Sequence, residues 1–198
     1  VRAALTGHLI LSTLHTNDAP SSITRLADMG VEPFLIASSV LAVLGQRLGR
    51  VLCPACREPY RASPHVARLY EEAGLDLDPG ATLFRPRGCP SCRGGYTGRT
   101  AIAELMVVSP ALRELITARA PAHELGRVAV QEGMQTLRQA GLELARQGVT
   151  SVDEVLRVTE APALASGPAG RAAPAGSAPP AGLPSTARDP AGAGGDGR

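Results

Sequence analysis

The chain contains no lysine; all 20 of its basic residues are arginine. Within these 198 residues that absence excludes a glycine-rich loop ending in Gly-Lys-Ser or Gly-Lys-Thr, whose lysine meets the terminal phosphates of a nucleotide. Aromatic residues make up only 3%, which leaves few platforms for stacking bases, and 18 acidic side chains offset the arginines to a net charge of +2. Both facts weigh against a nucleic-acid binder. No run of about eighteen apolar residues occurs, so no membrane-spanning helix is expected. The N-terminus lacks the basic and apolar pattern of a signal peptide, and a cytosolic protein is expected.

Large side chains are also scarce at one end. From Ala161 to Arg198, 27 of 38 residues are Ala, Gly or Pro, and Leu164 and Leu183 are the only large apolar ones. Such a segment buries too little surface to repay its ordering entropy, so a disordered tail is expected after a folded part of about residues 1–160. At the other end, Val1 to Gly7 reads as the last turns of a helix closed by a glycine, which suggests a preceding segment.

What is present begins with "GHLILSTLHTNDA", Gly7 to Ala19. The apolar run His8–Leu14 is too short for a typical helix and is bounded by Gly7 and a polar turn, so it reads as a buried strand. Asn17 or Asp18 then caps a helix with Pro20 in its first turn, running through Ile23 and Leu26 to Gly30. A strand followed at once by a helix is half of a parallel αβ unit, whose ligands bind at the carboxyl ends of strands. Thr13, His15, Thr16 and Asn17 occupy that position.

Further along, Glu32-Pro33 opens a helical pattern carrying Phe34, Val40, Leu41, Leu44 and Leu48. Arg25, Arg47 and Arg50 read as exposed positions on amphipathic helices. Another helix is expected over 64–73, ended by Gly74, with short strands at 82–85 and 100–108. Four helices follow, over about 110–118, 121–132, 135–146 and 151–158, the last opened by the capping-box pattern Ser151-x-x-Glu154.

All four cysteines fall in two Cys-Pro-X-Cys pairs, Cys53/Cys56 and Cys89/Cys92, separated by 32 residues. A two-residue spacer turns both sulfurs of a pair toward one ion, and two such pairs complete a tetrahedral Zn²⁺ site. Four sulfur ligands leave no open coordination position, so the zinc is structural. Reduced structural cysteines, disulfides in an exported chain, or a thioredoxin-like redox pair are the alternatives.

In order, "ALTGHLILSTLHTNDAPSSITRLADMGVEPF", "QRLGRVLCPACREPY", "GCPSCRGGYTGRTAIAELM" and "GMQTLRQAGLELARQGVTSVDEVLRVT" resemble the C-terminal part of bacterial type II secretion and type IV pilus assembly ATPases. The resemblance covers about residues 1–160. It implies an α/β fold: the C-terminal part of a RecA-like P-loop ATPase core, with a parallel sheet and helices, in residues 1–50. A tetracysteine zinc element in 51–99 and a strand plus a mainly helical region in 100–160 follow, with the tail at 161–198.

The resemblance further implies a homo-hexamer that hydrolyses ATP with Mg²⁺ at the cytoplasmic face of the inner membrane, joined peripherally to secretion or pilus platform proteins. His8 and His15 correspond to its His box, near the nucleotide and the subunit boundary. Along a strand they stand roughly 20 Å apart, too far for one phosphate. His15 is placed to sense a terminal phosphate or orient the attacking water. Thr13, Asn17 and Arg99, the last in the family's recurrent Gly-Arg-Thr step, are further nucleotide contacts. Arg25, Arg47 and Arg50 become candidates for contact with a neighbouring subunit. The P-loop, acidic box and Walker B carboxylate of the family lie before the His box, so these residues alone are not expected to hydrolyse ATP. Retraction motors generally lack the tetracysteine element, which favours secretion or assembly. A zinc-bearing adaptor without nucleotide, or a zinc-ribbon nucleic-acid-binding module, are the competing functions.

Overall fold

A computed structural model describes residues 1–159, apart from the side chain of Arg2; the expected tail lies outside the described residues. Its elements are α1 (Arg2–Leu5), α2 (Ala19–Asp28), α3 (Pro33–Ser39), β1 (Ala42–Leu52), β2 (Glu58–Arg61), α4 (Pro64–Glu72), β3 (Thr82–Arg85), β4 (Tyr96–Val107), α5 (Pro110–Thr117), α6 (Ala122–Gln131), α7 (Leu137–Arg146) and α8 (Val152–Thr159). Helices and strands are mixed, as an α/β fold requires.

Local chemistry sets most boundaries. The Asp18 carboxylate accepts the Ser21 N–H at 2.7 Å and starts α2, with Pro20 in its first turn. Ser63, Ser109 and Thr136 do the same for α4, α5 and α7, and Thr136 with Gln139 forms a complete capping box. At α8 only half of the expected box forms. Ser151 Oγ accepts the Glu154 N–H at 3.2 Å, but the Glu154 carboxylate turns away to two arginines.

Two expectations need correction. Residues 33–48 do not form one helix: α3 ends at Ser39, and β1 pairs antiparallel with β4 from Ala42↔Val107 to Arg50↔Arg99. Leu44 and Leu48 are four apart, a spacing that satisfies both the helical repeat and the two-residue repeat of a strand. Gly45 and Gly49 weaken a helix, and the β-branched Val43 and Val51 favour the strand. Arg47 and Arg50 therefore lie on a strand.

The stretch 8–14 is not a buried strand either. It carries no regular secondary structure and no ladder partner among the described residues, and Leu9 and Leu11 are 79% and 90% exposed. Both sheets among the described residues are two-stranded and antiparallel, β1–β4 and β2–β3, and neither pairs with this segment.

The β1–β4 ribbon organises two cores. Its inner face carries Val43, Gly45, Arg47 and Gly49 beside Met106, Glu104, Ile102 and Thr100. At the Met106 end α2, α3, α5 and α6 pack Ile23, Ile36, Leu112 and Leu125. At the other end α4, β3, α7 and α8 enclose Tyr70, Leu83, Leu142 and Val155. Each fully buried side chain of this size contributes about 1.5–3 kcal/mol. Tyr70 also donates its hydroxyl to the Leu142 carbonyl at 2.8 Å, so its polar end is satisfied inside the core.

Candidate functional site

The four cysteines converge. Cys53 follows β1 and its N–H donates to the Gly95 carbonyl at 2.8 Å, which brings the end of β1 against the second pair. Each pair is a tight knuckle: the Cys56 and Arg57 N–H groups turn back to the Cys53 carbonyl, and the Cys92 N–H to that of Cys89. Gly95 sits at φ +87, and a Cβ there would fall 2.4 Å from Pro86 Cβ, so only glycine closes the second knuckle.

All four sulfurs lie within 4.8 Å of one another. Cys53 to Cys89 is 4.0 Å, Cys56 to Cys92 is 3.7 Å and Cys89 to Cys92 is 3.6 Å. A tetrahedral ion with metal–sulfur bonds of about 2.3 Å needs sulfurs about 3.8 Å apart. The separations also exceed a disulfide bond, and all four thiols are free. The donor set and its dimensions thus fit a tetrahedral ion such as Zn²⁺, which Cys53, Cys56, Cys89 and Cys92 would hold.

Crowding splits the thiols. Burial pushes Cys56 up to about 12. Burial also opposes ionisation of Cys92, but the Cys89 N–H and neighbouring thiols stabilise its thiolate and bring it down to about 7. One sulfur in the cluster carries charge most readily, and each further thiolate beside it costs more. The element is anchored to the helical region by Arg57, which donates to the Gly148 carbonyl at 2.6 Å and lies over the Phe84 ring at 4.4 Å.

The His-containing segment is arranged differently. His8 Nδ1 stands 3.0 Å from Thr6 Oγ1. Thr13, His15 and Asn17 are exposed, and among the described residues the side chains of Thr13, His15 and Arg99 have no hydrogen-bond partner. Thr16 and Asn17 are held firmly. Thr16 Oγ1 is 2.7 Å from Ser22 Oγ, and Arg47 donates to the Asn17 carbonyl at 3.0 Å and to Asn17 Oδ1 at 3.2 Å. Arg99 stands opposite Arg50 on the outer face of the ribbon, away from Arg47 and the turn it holds.

Glu104 is not singled out by the sequence, and Glu154 is expected there only as part of a capping box; both are buried carboxylates with other partners. Glu104, 3% exposed on β4, accepts the Ala19 N–H at 2.5 Å with Oε1 and the Leu137 N–H at 3.0 Å with Oε2. It therefore serves the first turns of both α2 and α7. Glu154 on α8 binds the backbone and guanidinium of Arg50 and the guanidinium of Arg157. Arg50 also lies over the Tyr96 ring at 4.1 Å, and Tyr96 Oη is 2.7 Å from Ser151 Oγ. The alternation of β4 marks Glu104 as inward-facing, which was the available signal for it.

Comparison with known proteins places this geometry in context. Residues 1–157 match the family model described as Type II/IV secretion system protein. The chain is 53% identical over 162 residues to the type II secretion system protein E of Pseudomonas aeruginosa, covering 80% of this chain and 31% of that protein. It is 48% identical over 165 residues to the type II secretion system ATPase E of Vibrio cholerae, covering 81% of this chain and 31% of that protein. It is 46% identical over 158 residues to the type IV pilus assembly ATPase PilB of Thermus thermophilus, covering 79% of this chain and 18% of that protein. The chain thus spans a third or less of the length of these curated relatives. In fold it resembles the pilus retraction motor PilT solved with bound ADP, at a TM-score of 0.51 and 23% identity, over 81% of this chain and 35% of that one.

Proposed function

The chain belongs to the type II/IV secretion system protein family, and from that premise we propose that it is the C-terminal portion of a hexameric, ATP-hydrolysing motor for type II secretion or type IV pilus assembly. The observation that carries the proposal is the match over residues 1–157, which takes in the His-containing turn, the four cysteines and the closing helices together. The exposed apolar side chains of Leu9 and Leu11 agree with it, because such a surface is suited to burial against a further part of an assembly.

In this reading residues 1–50 complete the ATPase core, 51–99 form the zinc element and 100–160 the closing region. Cys53, Cys56, Cys89 and Cys92 hold a structural Zn²⁺ that stabilises the knuckles. ATP with Mg²⁺ supplies the reactive phosphate, cradled by a P-loop from the rest of the polypeptide. His15 senses the terminal phosphate or orients the attacking water, with Thr13, Asn17 and Arg99 as nucleotide contacts and His8 as the second residue of the His box, near the nucleotide and the subunit boundary. Phosphoryl transfer depends on such positioning, and residues 1–198 alone do not hydrolyse ATP. The motor works at the cytoplasmic face of the inner membrane, bound peripherally to platform proteins. Among the described residues no helix is long and apolar enough to cross a membrane.

The test begins with the reading frame upstream of Val1. A frame encoding Gly-x-x-x-x-Gly-Lys-Ser/Thr is expected, and its full product should hydrolyse ATP. His15→Ala in that product should lower kcat by at least tenfold, a barrier change of about 1.4 kcal/mol. A full product with an intact P-loop that leaves ATP unhydrolysed overturns the proposal.

A further inference from the structure

We propose that Glu104 is a positioning residue that ties the His-containing turn to the C-terminal helices, so that the catalytic turn and α7 move as one piece. The inference rests on the motor reading above. It starts from the burial of a carboxyl group between two helix starts: Oε1 takes the Ala19 N–H of α2 and Oε2 takes the Leu137 N–H of α7. Those partners lie 85 and 33 residues away in sequence. The first N–H groups of a helix have no partner inside it, and a buried helix start needs an acceptor from elsewhere. One side chain here supplies acceptors for two helices at once.

The strand beside Glu104 is shaped for this bridge. Gly45 pairs directly with Glu104 across the ribbon, and a Cβ on it would stand 2.9 Å from Glu104 Cγ and Oε1 and 3.3 Å from the Ala19 N. Glycine in the middle of a strand weakens it, and its presence here is explained by the close approach of the carboxyl group. Two residues along the same strand, Arg47 grips the carbonyl of Asn17. The segment between His15 and Ala19 is therefore fixed from three sides: by Glu104 at Ala19, by Arg47 at Asn17, and by Ser22 at Thr16. His15 sits at the edge of this clamp and has no other tether among the described residues. Its placement relative to a nucleotide is set by groups that do not touch the nucleotide. The carboxyl group of Glu104 is the direct link by which a displacement of α7 reaches the start of α2.

The test uses the full-length motor and Glu104→Gln, which keeps the size of the side chain but offers one acceptor oxygen where two are needed. Hydrogen exchange followed by mass spectrometry should show faster exchange in the peptide covering Ala19, in that covering Leu137 or in both, according to which amide loses its acceptor. The variant should keep its zinc content and its KM for ATP within about twofold while kcat falls at least about tenfold. Gly45→Ala, which crowds the same carboxyl group, should reproduce the pattern. Wild-type kcat in Glu104→Gln, or unchanged exchange at both Ala19 and Leu137, overturns the proposal. If Glu104→Gln does not fold, Gly45→Ala takes its place, since it crowds the Glu104 carboxyl group directly: faster exchange at Ala19 or Leu137 with a fall in kcat at constant KM supports the bridge, and unchanged exchange or unchanged kcat overturns it. A wild-type motor that does not hydrolyse ATP refutes the motor reading instead, and the exchange experiment still decides whether Glu104 bridges the two helices.

Discussion

Arg50 near the end of β1 and Glu154 at the start of α8 are joined through both backbone and side chain: the Arg50 N–H donates to Glu154 Oε1 at 2.9 Å, and Arg50 Nη2 to Oε2 at 2.6 Å. Burial opposes ionisation of Glu154, but hydrogen bonds from Arg157 and Arg50 overcome it and hold the carboxyl group down at about 2. Because the folded value lies below the unfolded one, the contribution to stability is present above about pH 4.3 and is lost as the pH falls toward 2. Thermal melting should therefore drop steeply between pH 5 and pH 2. Glu154→Gln should lower stability at pH 7 by about 2 kcal/mol, because it weakens charge-assisted bonds at a buried carboxyl. The same variant should flatten the acid limb. A variant melting with the unchanged pH profile would show that other carboxylates dominate it.

Gly141 opposes two effects of known size. Alanine in mid-helix is worth about 1 kcal/mol over glycine, which favours Gly141→Ala. A Cβ at that position, however, would lie 2.6 Å from Val155 Cγ1 and 3.4 Å from Ile102 Cδ1, where α7 packs against α8 and β4. Overpacking of that kind costs about 1–3 kcal/mol, so the clash wins and Gly141→Ala should be destabilising by about 1 kcal/mol. The pair Gly141→Ala with Val155→Ala should be less destabilised than the sum of the two single changes. Chemical denaturation of the three variants measures this coupling, and strict additivity would show that the helices separate to admit the methyl group.

The cysteine cluster predicts one Zn²⁺ per chain, measurable by elemental analysis of purified protein. Chelation or Cys53→Ser should remove it. The loss should reach α8, because Arg57 beside Cys56 holds the Gly148 carbonyl and the Leu52 N–H holds that of Val149. Faster hydrogen exchange around 148–155 should therefore accompany metal removal, with the α2–α6 core unaffected. Metal-free protein with an unchanged exchange pattern would refute the zinc assignment.

How much of this was legible beforehand depended on whether the signal was local. Asp18, the Cys-Pro-X-Cys pairs, Gly74 and Ser109 act on neighbours within a few residues, and the helices and knuckles they imply are present. Leu44 and Leu48 carry a spacing common to helix and strand, so only the pairing with β4 decides between them. The apolar run at Leu9 to Leu14 has the composition of a strand, but strand formation requires a ladder partner, which a window of sequence does not contain. Glu104 was hidden for the same reason. Its meaning lies in the amides of Ala19 and Leu137, which the fold delivers from two distant helices.

The outer face of the ribbon yields the last prediction. Leu44 and Leu105 are cross-strand partners, 59% and 52% exposed, and Leu48 and Val107 extend the same apolar face. A contiguous apolar surface of this kind promotes association, whereas its side chains contribute little to a core they do not enter. The 198-residue chain should consequently self-associate with rising concentration. Leu44→Arg combined with Leu105→Glu should abolish that association, and the opposite charges placed directly across the ribbon should contribute a few tenths of a kcal/mol. Surface changes away from special features shift stability by about 0.5 kcal/mol at most, so the melting temperature should hardly move. Sedimentation velocity over a concentration series separates the outcomes: a monodisperse double variant with native melting supports the exposed face, and a variant that unfolds instead would mean these leucines pack inside the chain.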